Sequence, residues 1–242
     1  MPTAFEHALT ATIGPLEGWC SAAKACAIAN YVVTERLSSA LEIGVFGGKS
    51  LLAIAMAQVH AELDTAITVG IDSWRAEDCV EGEPHPANVE WWSNRDMLHE
   101  VHRKCMEAIW STGLAERILV FRNNSSAVAS FLHDREWDLI HIDGNHSELA
   151  STRDVALWLP RLRSGGILIF DDLDWSNEGG AVKQLDQDCE RIQTLANCAF
   201  YRKPHAGQTS VSSAQAAPPT RKPAPKRKPK RLTSTPVAAT LP

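Results

Sequence analysis

One stretch, residues 137–175, limits what this chain can fold into more than any other. It reads WDLIHIDGNH, then SELASTRDVALWLPRLR, then SGGILIFDDLDW. Residues 139–142 and 167–170 are rich in Ile and Leu and bounded by Gly and Asp. Each run is too short for a helix and continuous rather than alternating, as expected of a strand buried on both faces. Between them, apolar Leu149, Val155, Ala156, Leu159 and Leu162 mark one helix. Strand, helix, strand at that spacing predicts a βαβ unit with a parallel strand pair. Both strands end in carboxylates: Asp143 after the first, Asp171 and Asp172 after the second. In an open parallel sheet the C-terminal strand ends form the ligand crevice. Carboxylates on neighbouring strand ends repel one another unless a cation or a proton joins them.

The same alternation extends upstream. Residues 1–15 carry no distinct pattern, and 16–39 read as a helix with Leu16, Trp19, Ala23, Ala27 and Tyr31 near a 3.6-residue period. Trp19 and Tyr31 there suit core or lid packing. Residues 40–45 (ALEIGV) form a short buried strand, followed by FGGKS and a helix over 51–63. A strand, a glycine-rich turn and a helix N-terminus make a site for a nucleotide-like ligand. Gly44, Gly47 and Gly48 allow close backbone approach. A Walker A loop needs glycine where Ile43 stands, and Val45-Phe46 break a dinucleotide fingerprint. Glu42, Gly44 and Gly48 satisfy acidic-x-Gly-x-x-x-Gly, with Ser50 two residues on. A tight turn without a ligand is the alternative.

Residues 66–71 form the next strand, ending in Asp72, which is placed to accept ribose hydroxyls or to cap a turn. Residues 73–111 depart from the alternation and carry Trp74, Trp91, Trp92, His85, His99 and His102. They read as a mobile loop and a helix over 89–109, an excursion of the kind that forms lids; 75–111 is the expected lid insert. His99 and His102 share one helix face and read as surface residues. A strand over 117–121 is followed by Ser125 and Ser126, which suit an adenine edge or a helix N-cap, and by a helix over 127–133. A last helix over 181–192 and a short strand over 199–201 close the ordered part at Pro204.

Charge divides the chain. No acid follows Ala206, but seven of the 24 basic residues do, so residues 1–206 set 17 bases against 29 acids, a charge of −12. The acidic body is a poor polyanion binder. Residues 207–242 hold seven of thirteen prolines and few apolar groups, and read as a disordered basic tail. Six scattered cysteines without a CxxC pair suit reduced thiols in a cytoplasm. No run approaches the ~20 apolar residues of a membrane helix, and no signal peptide is visible at the N-terminus.

LEIGVFGGKS, GIDSW, IHIDGNHSE and GGILIFDD together resemble class I S-adenosylmethionine (SAM) methyltransferases. More narrowly they resemble the metal-dependent small-molecule O-methyltransferases of cephalosporin and macrolide-sugar tailoring, with catechol O-methyltransferase more distant in site design. The resemblance covers residues 35–203. It implies an α/β, Rossmann-like fold with a mostly parallel seven-stranded sheet, shortened at its last strand pair because little chain follows Ile192. It further implies that Glu42, Gly44 and Gly48 hold the methionine end of SAM, with Ser50 a further cofactor-binding residue, that Asp72 binds the ribose, and that Ser125 and Ser126 lie near the adenine. Asp143, Asp171 and Asp172 would ligate a divalent cation such as Mg2+, with His146 as general base.

The chemistry is consistent with this. A methyl donor needs a positioned, deprotonated nucleophile, and a hard cation with a nearby imidazole can supply one from a hydroxyl. A SAM-dependent O-methyltransferase acting on a small hydroxylated molecule, in the cytoplasm and compatible with a homo-oligomer, is the expectation. A non-catalytic SAM-binding module, an NTPase and a macromolecule-directed methyltransferase using the tail are the rivals. Retention of the acids and His146, Ile43, and the acidic body weigh against them in turn.

Overall fold

The computed structural model describes residues 2–173 and 179–205. Trp175 and the tail expected over 207–242 lie outside the described residues. The elements run α1 (Ala4–Ile13), α2 (Ala22–Glu35), β1 (Ser39–Ile43), α3 (Lys49–His60), β2 (Ile67–Asp72), α4 (Ala76–Cys79), α5 (Pro86–Trp92), α6 (Arg95–Ser111) and β3 (Ile118–Arg122). There follow α7 (Ser125–Ala129), β4 (Trp137–Ile142), α8 (Glu148–Trp158), β5 (Leu162–Phe170), α9 (Gly180–Asp188), β6 (Glu190–Leu195) and β7 (Cys198–Arg202).

The seven strands form one sheet in the order β3-β2-β1-β4-β5-β7-β6. β1 pairs in parallel with both β2 and β4, and β4 in parallel with β5, while β7 runs antiparallel to β5 and β6. The central strands have two buried faces, which explains their unbroken apolar runs. In β5, Ile167 and Ile169 join one core with α1, α2, α3 and α6, and Leu168 and Phe170 join the other with α8 and α9. The result is a three-layer α/β fold of Rossmann-like type. Sequence order reverses between β1 and β4, so the ligand crevice falls between their C-terminal ends.

Several boundaries differ from the sequence reading. α1 forms where no pattern is evident, on a capping box in which Thr3 and Glu6 exchange hydrogen bonds. α2 begins at Ala22, capped by Ser21. In α8 the buried set is Ala150, Ser151, Asp154, Val155 and Trp158, so Leu149 and Ala156 fall off the inner face. Of the expected lid, α6 belongs to the body: Leu98, Val101, Cys105 and Ile109 are buried. Only residues 75–94 remain as an excursion. The helix expected over 181–192 stops at Asp188, and ERIQTL forms β6. The final strand pair is therefore complete, and its outer strand is polar because it lies at the sheet edge. Among the described residues no helix is long and apolar enough to cross a membrane.

Leu149 is 63% exposed, whereas the Trp158 side chain is fully buried. Urea denaturation is expected to show Leu149→Gln within about 0.5 kcal/mol of the parent. Trp158→Ala should lose about 3–5 kcal/mol by leaving a cavity.

Candidate active site at the strand ends

The backbone ladder continues one step beyond the strands. The Asp143 N–H donates to Ile43 O at 2.8 Å, and the Asp171 N–H to Ile142 O at 3.0 Å. Ile142 pairs with Phe170, so the residues that follow, Asp143 and Asp171, stand side by side. Gly44 closes the arrangement from β1 with φ of +86°, and a Cβ there would lie 2.0 Å from Asp143 O. Only glycine fits, because the turn after β1 and the loop after β4 touch through bare backbone.

Two adjacent carboxylates need a positive partner, and the fold supplies Lys24 from α2. Its Nζ lies 3.1 Å from Asp143 Oδ2 and bonds Asp171 Oδ2 as well. Lys24 is only 7% exposed. Burial alone would lower its pKa, but the charge of Asp143 outweighs that and holds it above the ordinary lysine range. His141 completes the group, its Nε2 3.8 Å from both Asp143 and Asp171. Full burial pushes the His141 pKa down to about 3, with Lys24 adding to the effect, so the ring is neutral. His141, Asp143 and Asp171 offer ligand atoms within 4.8 Å of one another.

Asp172 is not part of that group. Its backbone is left-handed, with φ of 56°. Its Oδ1 accepts from Asn197 Nδ2 at 2.6 Å, and its Oδ2 lies 3.0 Å from His146 Nδ1. Burial opposes charge on His146, but the hydrogen bond and charge of Asp172 prevail and raise its pKa. The same pairing outweighs burial at Asp172 and holds its carboxyl below the usual range. Asn145 ties this loop to the excursion over 75–94, donating to the carbonyls of Asp78 and Glu81 at 2.9 Å each.

The residues expected to hold a cofactor are present but differently engaged. Glu42 is fully buried and accepts the Ser50 hydroxyl, and burial pushes its pKa up to about 8. Its Oε2 has no hydrogen-bond partner among the described residues. Asp72 holds the glycine turn: Oδ2 accepts from the N–H groups of Val45 (3.0 Å) and Phe46 (2.8 Å), and Oδ1 from Trp74 (2.8 Å). Gly48 is the N-cap of α3 at φ of 84°, and a Cβ there would meet Cys105 Sγ at 2.8 Å. Among the described residues no side chain caps α3. Ser125 donates to the buried Asp154, while Ser126 is exposed in the first turn of α7; Asn124 is the cap of that helix.

Four contributors escape sequence reasoning: Lys24, His141, Asn197 and Asp154. Lys24 and His141 do leave a trace, each a lone polar residue in an apolar segment, AAKACAIA and LIHI. Above the glycine turn, Phe46 packs with Trp19, Trp91 and Trp92, at ring separations of 5.2, 6.1 and 5.7 Å. His102 lies 4.6 Å from Trp74 rather than standing free on the surface. A cavity of about 420 Å³ between the end of α1 and α6 shares Gly47 with the turn, and neither Asp143, Asp171 nor Asp172 lines it.

The family model described as "Methyltransferase domain" matches residues 41–173, more than half of the chain. No curated protein sequence matches. Among solved structures, the O-methyltransferase TomG from Streptomyces achromogenes, in complex with SAM, is similar at 14% identity and a TM-score of 0.58, covering 84% of this chain and 91% of that one. An O-methyltransferase from Bacillus cereus in complex with SAH is similar at 13% identity and a TM-score of 0.56, covering 84% and 92%. Cofactor-bound Rv0187 from MTB is similar at 16% identity and a TM-score of 0.57, covering 84% and 91%. At these identities the likeness is one of fold.

Asp154 gives the site a pH-dependent stability. Burial raises its pKa from 3.8 to about 6. The folded state thus favours the protonated form. That stability is complete below the unfolded pKa and is lost as pH rises through about 6. Asp154→Asn keeps an acceptor for Ser125 without the charge. Thermal melts should show equal stability near pH 4 and an advantage for the variant on the order of 2–3 kcal/mol near pH 8.

Proposed function

Because this chain belongs to the methyltransferase-domain family, we propose that it transfers the methyl group of S-adenosylmethionine to a hydroxyl of a small molecule such as a sugar or a phenol. The observation that carries the reading is the His146–Asp172 pair, 3.0 Å apart, formed by the loops that follow the adjacent strands β4 and β5. The SAM-bound and SAH-bound O-methyltransferases of the same fold support the choice of cofactor and of an oxygen acceptor. The uncapped amino end of α3 suits the cofactor too, since helix N–H groups attract carboxylates.

SAM, when bound, supplies an electrophilic methyl group whose sulfur leaves with the C–S bonding pair. The rest of the work falls to the chain. Asp172 holds the proton on His146 Nδ1, which makes Nε2 the basic nitrogen. His146 Nε2 takes the acceptor's hydroxyl proton as the oxygen lone pair forms the new O–C bond. Gly44 lets the turn rest against the Asp143 loop, Gly47 and Gly48 let it pack against Glu17 and Cys105, and Asp72 fixes its shape. Residues 75–94, tied down by Asn145, serve as the cover that limits water, with the Trp91 and Trp92 rings packed on Phe46.

The finer expectation, Mg2+ on Asp143, Asp171 and Asp172, fits these residues poorly. Asp172 is engaged by His146 and Asn197. An imidazole, a poor partner for magnesium, stands in the third position. Lys24 already bonds both remaining carboxylates. No step is therefore routed through a metal.

Isothermal titration should show SAM and its demethylated product binding and ATP not binding. A chain that binds neither sulfur compound would refute the proposal. His146→Gln should keep SAM affinity within about twofold while lowering kcat about 10²–10⁴-fold. Undiminished turnover in that variant would remove His146 from the reaction.

A further inference from the structure

We propose that Lys24 is the resident cation of this site: its ammonium takes the place between Asp143 and Asp171 that a divalent metal would occupy, and methyl transfer proceeds without one. The second half of this statement rests on the function proposed above; the first does not.

The geometry is specific. Asp143 and Asp171 are fixed next to each other by the β4–β5 register, and both turn their Oδ2 atoms to Lys24 Nζ. Lys24 is held there from its own side. It lies in the first turn of α2, where its N–H donates to the capping Ser21 hydroxyl at 3.2 Å. α2 in turn is pinned to the sheet through Ala25, Ile28, Ala29 and Val32, all buried. The side chain of Lys24 is 9% exposed, that of Asp171 7%. This is an internal ion pair with a preset position, unlike a surface lysine that swings in and out of water.

A divalent ion bound to the same oxygens would stand within contact of the ammonium. In so buried a place little water screens that repulsion. The ion would also lack the third carboxylate, since Asp172 serves His146. Conversely, the pair Asp143 and Asp171 without Lys24 would be two adjacent like charges, that of Asp171 buried, a situation that calls for a metal or a proton. Lys24 and a divalent metal are therefore alternatives. For the reaction, Lys24 offsets the negative charge that Asp143 and Asp171 would otherwise place in the crevice where the acceptor's oxygen loses its proton.

The test uses the full chain, stripped with EDTA, and Mn2+ alone as the probe, followed by electron paramagnetic resonance. Wild type is expected to bind no Mn2+ at millimolar concentration. Lys24→Met should gain a site at least about tenfold tighter, one decade of the binding constant, and adding Asp143→Asn should abolish it. Lys24→Gln is the substitute if Lys24→Met does not fold. In the activity arm, wild-type methyl transfer should be unchanged by EDTA. Lys24→Met should be inactive in EDTA and partly restored by Mn2+. Stoichiometric Mn2+ binding by wild type that is lost in Asp171→Asn would overturn the inference, as would loss of wild-type activity in EDTA with recovery on adding Mg2+. Exclusion of Mn2+ by wild type without methyl transfer under any condition would uphold Lys24 as the resident cation and overturn the proposed function instead.

Discussion

Two carboxylates at the ends of adjacent parallel strands set the terms for everything around them. The strands lie about 4.8 Å apart, so Asp143 and Asp171 face each other across that gap, and only a positive charge makes the pairing tolerable. Lys24 provides it from an element 119 residues away in sequence. The demand reaches outward: α2 must dock where its first turn overlooks β4 and β5, and Ser21 must cap it there. Gly44 must stay bare so that the β1 turn can rest against Asp143.

Beneath this charged rim the site is electrically quiet. Glu42 is pushed up to about 8 and His141 down to about 3, so both are neutral at pH 7 although their side chains approach to 3.5 Å. Ser50 and Asp72 similarly serve the interior, one bracing Glu42 and the other the glycine turn. Ionised groups stand above it only in pairs, Lys24 with Asp143 and Asp171, and His146 with Asp172. Pairing each charge above a neutral floor avoids burying unpaired charge, which is costly.

Much of this was legible in the sequence, for a physical reason. Strands buried on both faces leave continuous apolar runs, and the acids that end them mark the crevice, so β1, β2, β4, β5 and the row Asp143, Asp171 could be read directly. Edge strands leave weaker marks: β6 reads ERIQTL and mimics the tail of a helix. What periodicity cannot convey is a partner remote in sequence, which is why Lys24 stayed hidden in an alanine-rich helix. Nor can it convey a side chain's aim. Asp171 and Asp172 are adjacent, yet the left-handed backbone at Asp172 and the amide of Asn197 send the second carboxylate to His146. Leu149 shows the same limit on a smaller scale, since one apolar residue beside a buried stripe is indistinguishable from one within it.

Asp72 has a consequence for the heat of ligand capture. A carboxylate offers about four lone-pair positions, and three here already accept from Val45, Phe46 and Trp74. A ribose that brings both hydroxyls to Asp72 must displace at least one of these amides, exchanging a hydrogen bond instead of adding one. The enthalpy at that contact is then close to balanced. Affinity must come from the apolar and aromatic surface covered above the turn, whose calorimetric mark is a negative heat-capacity change. The residue that looks most like a handle for the ligand is, thermally, a latch that the ligand has to reopen.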